Sequence, residues 1–239
     1  MKKILTSLTI ALTLLMTMGA KAQVKSYFGF FGGISIPQGN FSSVDYDNNK
    51  SGFAKKGLTY GLDGAYYFSK NFGIGASITY QDNGELNQND ADSLAAGYTK
   101  SYGADQSTVT AQNRYQTLNI LLGPQYTFTF GKFLFDIRPN VGIIKVFSTP
   151  ETNVLLSGIT DQTGTFYQRG GSGTVLAYGG NLSLRYKLSD NLFLTLRGAY
   201  INSTGPSITN DDRTHEIGRY VTKQPITAIN TTLGLSFGL

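Results

Sequence analysis

The sequence predicts an all-β chain folded as an eight-stranded antiparallel up-and-down barrel that crosses a membrane. Three observations carry that prediction. An export signal opens the chain, runs of apolar–polar alternation follow, and the connections between those runs alternate in length. Ser69-Lys70-Asn71, Gly131-Lys132 and Ser189-Asp190-Asn191 are tight, whereas residues 38–56, 82–113, 149–173 and 204–224 sprawl. Short connections at one end and long ones at the other mark a barrel of the bacterial outer membrane.

Met1-Lys2-Lys3 is a basic start, Ile4 to Met18 an apolar run, and Ala20-Lys21-Ala22 an A-x-A cleavage site. Residues 1–22 therefore read as a signal peptide and residues 23–239 as one barrel domain. The apolar run falls short of the ~20 residues a membrane helix needs. The absence of cysteine excludes a lipoprotein anchor, disulfides and cysteine–metal sites. Cleavage removes Lys2, Lys3 and Lys21 and no acid, which takes the formal charge from +5 to +2. The basic balance thus belongs partly to export, and no nucleic-acid partner is expected.

The strands follow from period-two alternation. The first, about 27–37, sets Phe28, Phe30, Ile34 and Ile36 against Tyr27, Gly29, Gly33 and Ser35, with Phe31 out of place on the polar face. The second sets Leu58, Tyr60, Leu62, Tyr66 and Phe68 against Thr59, Gly61 and Asp63. The third is cleanest, with Phe72, Ile74, Ala76, Ile78 and Tyr80 against Gly73, Gly75, Ser77, Thr79 and Gln81. In the fourth, Leu118, Ile120, Leu122, Tyr126 and Phe128 oppose Thr117, Asn119, Gly123, Gln125 and Thr127. In the fifth, Phe133, Phe135, Ile137, Val141 and Ile143 oppose Asp136, Arg138, Asn140 and Gly142. The sixth sets Leu176, Tyr178, Leu182, Leu184 and Tyr186 against Asn181, Ser183, Arg185 and Lys187. In the seventh, Leu192, Leu194, Leu196 and Tyr200 oppose Thr195 and Arg197. The eighth opposes Ile229, Leu233, Leu235, Phe237 and Leu239 to Asn230, Thr232, Gly234, Ser236 and Gly238.

Alternation alone does not say which face meets lipid. The aromatics do. Tyr66, Phe68, Phe72, Tyr126, Phe128, Phe130, Phe133, Phe135, Tyr186 and Phe193 crowd around the short turns, while Tyr80, Tyr115, Phe147, Tyr200 and Tyr220 sit near the long connections. Two aromatic belts with aliphatic residues between them match two membrane interfaces. The apolar faces then point outward. An even strand count puts both termini with the short turns on the periplasmic side, and the long loops outside. Pro124 and Pro139 fall inside strands four and five at nearly one height and predict a bulge or bend.

Tyr186-Lys187-Leu188-Ser189-Asp190-Asn191-Leu192-Phe193-Leu194 resembles the strand–turn–strand unit of the small OmpA/OmpX-like outer-membrane barrels. Tyr67-Phe68-Ser69-Lys70-Asn71-Phe72-Gly73-Ile74-Gly75 repeats the pattern. The end, Thr232 to Leu239, is similar to the terminal strand that the barrel-assembly machinery recognises, except that Phe237 stands two residues before the last. The resemblance implies the barrel and passage through that machinery. It implies no activity, no cofactor and no peptidoglycan-binding module.

Outward apolar faces leave Asp63, Asp136, Arg138, Arg185, Lys187 and Arg197 pointing inward, with Asn119, Gln125, Asn140, Asn181 and Thr195. Eight strands enclose a space that side chains roughly fill, so a network is expected in which Asp63 and Asp136 bridge the arginines. That describes a plug. A narrow, anion-leaning channel is the alternative, since cations exceed carboxylates.

Among the loops, His215 is the single histidine, in Asn210-Asp211-Asp212-Arg213-Thr214-His215-Glu216. With Ser207 nearby it suggests a rim site for lipid or peptide chemistry, or a metal site from Asp211, Asp212 and His215. A solvated histidine among loop charges is the plainer reading, and no catalytic or metal centre is expected. Asp45-Tyr46-Asp47-Asn48-Asn49-Lys50-Ser51 starts like a calcium loop but carries Lys50 and Lys56 where that loop needs Gly and Glu. The second loop, with Asp82, Glu85, Asp90, Asp92 and Asp105, reads as a mobile acidic surface. The third reads as a hairpin of Val154-Leu155-Leu156 and Thr165-Phe166-Tyr167 around Asp161-Gln162-Thr163-Gly164, offering a strand edge to a partner, or adding two strands to make ten.

The expected role is a non-enzymatic outer-membrane protein serving structure or surface interaction. Its partners would be outer-membrane lipids and lipopolysaccharide, and an extracellular partner held by the loops.

Overall fold

The computed structural model describes residues 24–84, 86–159, 165–208, 210–212 and 223–239. The signal-peptide region, Glu85, residues 160–164 with their turn, His215 and Tyr220 lie outside the described residues.

Among the described residues twelve strands and one α-helix form. In chain order they are β1 (Tyr27–Pro37), β2 (Lys55–Tyr67), β3 (Phe72–Gly84), helix α1 (Gln88–Tyr102), β4 (Gln106–Gln112), β5 (Tyr115–Phe130), β6 (Phe133–Ser148), β7 (Glu151–Ser157), β8 (Thr165–Gln168), β9 (Gly173–Lys187), β10 (Leu192–Ser203), β11 (Asn210–Asp212) and β12 (Ile226–Gly238). Eight close into an antiparallel barrel in the order β1-β12-β10-β9-β6-β5-β3-β2. The two ends of the sheet meet from Tyr27↔Gly238 to Pro37↔Ala228, so no sheet edge is left open in the wall. The ten-strand alternative is overturned, because β7 and β8 pair outside the barrel.

The expected faces appear in the wall. Along β3 the outward residues Phe72, Ile74 and Ile78 are exposed, while Ser77, Thr79 and Gln81 are buried inside. Exposed apolar side chains ring the barrel, from Phe30, Leu58 and Leu62 to Leu176, Leu196 and Leu233. A tilted membrane strand needs about 9–11 residues. β5 and β6 run for 16 each and β9 for 15, so they continue past the apolar band at the long-loop end.

Of the bulge or bend expected at Pro124 and Pro139, no bulge forms. Pairing between β5 and β6 holds as far as Leu122↔Val141, stops, and resumes at Tyr126↔Ile137 in the same register. No residue is inserted, and that register sets the two prolines directly opposite each other. The outer ladders run on through Ile74↔Pro124 and Pro139↔Gly180. Proline removes a backbone donor, and both losses fall on one seam. Register shifts do occur, near Gln116/Thr117 and between Lys55 and Leu58.

Among the described residues the long connections carry structure of their own. β4, β7, β8 and β11 form a second sheet in the order β11-β8-β7-β4. Helix α1 packs on it through Ala91, Leu94 and Tyr98, against Val109, Val154 and Leu156. The second loop was expected as a mobile acidic surface, and the helix corrects that. Its signals were present: Ala91, Leu94, Ala95, Tyr98 and Tyr102 share one helical face. The Asn87 side chain accepts from Asp90 N–H at 2.9 Å, and Gly103 ends the helix at φ +61°. Two of the loop's carboxylates are also ion-paired, Asp90 with Lys55 and Asp82 with Arg114.

Candidate functional site

The barrel interior is layered. At the short-turn end Val24, Tyr27, Ala65, Tyr67, Leu134 and Phe193 form an apolar floor. At the long-loop end Phe41, Tyr115, Leu121, Ile144, Val146, Ile201 and Ile226 form an apolar lid. The inward residues singled out from the sequence are polar. The upper inward positions are instead apolar, because the extended strands turn their inner faces into a small core there. Tyr115 belongs to this lid and not to an interface belt: it is buried, meets Phe41 at 4.8 Å, and donates to Gly52 O at 2.7 Å. Phe193 likewise moves from the belt to the floor.

Between floor and lid lie the charges. Arg185 donates from Nε to Asp136 Oδ2 at 2.8 Å and from Nη2 to Asp136 Oδ1 at 2.9 Å. Arg138 pairs with Asp63, and Arg197 Nη1 stands 3.6 Å from the same carboxylate oxygen. Two tyrosines knit the pairs together. Tyr27 donates to Asp63 Oδ2 at 2.7 Å. Tyr67 accepts from Gln125 at 2.6 Å and from Arg185 at 3.2 Å. Thr127 donates to Asp136 Oδ1 at 2.6 Å, and Arg138 donates to Gln125 Oε1 at 3.2 Å.

Ring faces complete the arrangement. The Arg185 guanidinium lies 4.0 Å from the Tyr27 ring centroid, and that of Arg197 lies 4.5 Å from Phe31. That contact explains the one aromatic out of pattern in the first strand. Gly75 leaves room for the network, since a Cβ there would collide with Arg138 Nη1 and Gln125 Oε1. Burial of the pairs is nearly complete: the Arg185 and Asp136 side chains are 1% and 2% exposed. Such charges persist only when paired and hydrogen-bonded.

Lys187 does not join them. It sits at the rim and pairs with Asp190 at 2.8 Å, with 41% of its side chain exposed. The reason is position: Lys187 is the last residue of β9, level with the turn, and its long side chain reaches water. Tyr27 and Tyr67 are the members that residue-type reasoning passed over. Their signal was alternation: Tyr27 was read on the inner face, and Tyr67 has the parity of Thr59, Gly61 and Asp63.

A second polar layer lies nearer the lid. Gln81 donates to Asn83 at 2.7 Å and accepts from Asn119 at 3.2 Å and Asn230 at 3.3 Å. Asn83 donates to Ser35 at 3.2 Å. Floor, charge network, second polar layer and lid thus follow one another inside the barrel.

Of the loop candidates, His215 lies outside the described residues. Ser207 is exposed in an isolated bridge to Lys223. Asp211 and Asp212 lie on β11, opposite Tyr167 and Phe166. Among the described residues no cluster of His, Asp and Glu is arranged to hold a metal ion. The Asp45 carboxylate is engaged by the Asp47 N–H at 3.0 Å. The β7–β8 hairpin exists, but both its edges are taken, by β4 and by β11. Among the described residues the free edges of this outer sheet belong to β4 and β11.

A closed eight-stranded barrel with an apolar outer wall and a charged interior defines a transmembrane β-barrel protein. The chain matches the outer membrane protein beta-barrel domain over residues 9–222, and it belongs to that family of outer-membrane proteins. It is similar in structure to Neisserial surface protein A, at 9% identity and a TM-score of 0.50, covering 92% of this chain and 100% of that one. It is also similar to the attachment invasion locus protein Ail of Yersinia pestis, at 12% identity and a TM-score of 0.40, over 90% and 97% of the two chains. OprG of Pseudomonas aeruginosa gives 12% identity and a TM-score of 0.42, over 91% and 97%. Likeness at this identity concerns the fold. No curated protein sequence matches the chain.

Proposed function

We propose that the protein is a non-enzymatic surface-interaction barrel. Its long-loop end faces the exterior, both termini face the periplasm, and the folded outer sheet with its helix is the working part. One observation supports this above all: the outer connections carry a hydrophobic core of their own, with Leu156 fully buried and Leu94 2% exposed. Mobile solubilising loops need no such core. A barrel filled with side chains is a poor conduit and a rigid mount. Signal cleavage after Ala22 and assembly by the barrel machinery belong to the same reading.

Two experiments test it. The chain has no cysteine, so Ser107→Cys and Lys70→Cys report orientation with an impermeant maleimide on whole cells. Labelling at 107 and not at 70 is expected; the reverse overturns the orientation. The full chain displayed on a non-adherent Gram-negative host should then raise attachment to matrix proteins, glycans or neighbouring cells. A barrel with residues 86–112 and 150–172 replaced by short linkers should not. Equal attachment by the two, or none by either, overturns the surface role.

A further inference from the structure

The outer sheet ends in two unlike edges. β11 is three residues long, and two of them are Asp211 and Asp212. A short, charged edge resists strand addition. β4, at the opposite edge, runs seven residues from Gln106 to Gln112 and pairs with β7 without a register shift. It has no charge, no proline and no bulge, so the guards that a strand can carry in its own sequence are missing. Among the described residues no further strand pairs with it.

This edge has nearly the same sequence in both directions. Gln106-Ser107-Thr108-Val109-Thr110-Ala111-Gln112 is symmetric about Val109, apart from Ser107 against Ala111. Two such edges paired antiparallel about Val109 set Gln106 opposite Gln112, Thr108 opposite Thr110 and Val109 opposite itself. Facing threonines are a favourable cross-strand pair. Gln106, Thr108, Thr110 and Gln112 are exposed on the outer face. On the helix side Val109 is buried, and Ser107, which accepts from Thr99 at 2.7 Å, would face the small Ala111.

The flanking charges agree with that direction. Asp105 precedes the strand and Arg114 follows it, and both are exposed. Antiparallel self-pairing brings the Asp105 end of one copy to the Arg114 end of the other. Parallel pairing would set Asp105 beside Asp105, and like charges directly opposite destabilise a sheet.

We propose that β4 pairs antiparallel with β4 of a second copy of this chain, centred on Val109, so that two outer sheets become one continuous sheet. The contact is isologous: one patch serves both partners. The edge's own symmetry selects the second copy over an unrelated strand, which would have no reason to match that register. The proposal names a partner for the outer sheet that the surface role makes the working part. Its test is read on purified protein, so it fails or holds apart from the attachment assay.

The chain has no cysteine, so single cysteines report the register in the full chain refolded in detergent. Directly opposite residues have Cβ atoms about 4.5–5.5 Å apart, and diagonal ones stand about 7–8 Å apart, beyond the ordinary reach of a disulfide. Thr108→Cys copies mixed with Thr110→Cys copies should therefore form disulfide-linked pairs under mild oxidation, in several-fold higher yield than either variant alone. Equal yields in all three samples overturn the proposal, as does the absence of linked pairs. Sedimentation gives a second reading. The unaltered chain should sediment as a dimer at micromolar concentration, and Thr108→Lys with Thr110→Lys as a monomer. Adding copies with Thr108→Glu and Thr110→Glu should restore the dimer, which a variant with a misfolded outer domain would not do. If the edge instead receives a strand of another protein, the unaltered chain stays monomeric and the proposal falls.

Discussion

Arg185 holds both carboxylate oxygens of Asp136 in the middle of the barrel, 49 residues away in sequence and shielded from water on every side. Two parallel charge-assisted bonds fix the guanidinium plane. The Tyr27 ring then lies against its face. This pair joins the neighbouring strands β6 and β9, whereas Arg138 and Asp63 join β6 to β2 across the interior.

Breaking the pair should cost more than replacing it. Arg185→Met leaves Asp136 buried without its partner and should lower stability by roughly 3–5 kcal/mol. Arg185→Met combined with Asp136→Leu should be less damaging than that single change. Urea unfolding in lipid vesicles, followed by the gel shift between folded and heat-denatured barrel, measures both.

Gly75 is the space in which Arg138 rests. Gly75→Val should destabilise the barrel by about 1–3 kcal/mol through overpacking. Gly198→Ala, where an added Cβ meets nothing within 4 Å, should leave it unchanged in the same assay.

The outer domain should unfold apart from the barrel. Leu156→Asp places a charge in a fully buried site of its core. Protease added to whole cells should then cut between residues 86 and 159, while the barrel keeps its heat-modifiable shift. Loss of that shift would show that the two cores fold as one.

Asp190 provides a pH-dependent signal in a turn outside the membrane-spanning segments. The hydrogen bond from Lys187, and then its charge, hold the Asp190 carboxyl below the usual carboxylate range. A depressed folded pKa gives a contribution that is complete above the unfolded value of about 3.9 and is lost as pH falls through the folded one. Both groups face water, so the effect on stability is small. An NMR titration should place the Asp190 midpoint below that of free aspartate, and Lys187→Met should return it.

Much of the wall was legible from period two alone. Phe72 to Gln81 alternates without exception, and the sheet follows it. Phe31 looked like an error in the pattern and proves to be the ring under Arg197. The inner charges could be placed but not paired, since pairing depends on the shear of the closed barrel. The outer domain was harder. Asn, Asp, Ser and Gly dominate residues 82–113, and those residue types favour turns. They hid the helical spacing of Ala91, Leu94, Tyr98 and Tyr102, which tertiary packing makes decisive. Tyr115 misled for a related reason: near an interface in sequence, it turns inward because β5 runs past the membrane.

The proposed barrel is sealed by its own side chains and carries its function outside. Planar-bilayer recording of the refolded full chain tests the seal most directly. Silence is the predicted result at moderate voltage, with steps emerging when Phe41 and Tyr115 of the lid and Arg185 of the network are together replaced by alanine. Regular ion-conducting steps from the unaltered chain would contradict the account and establish a channel.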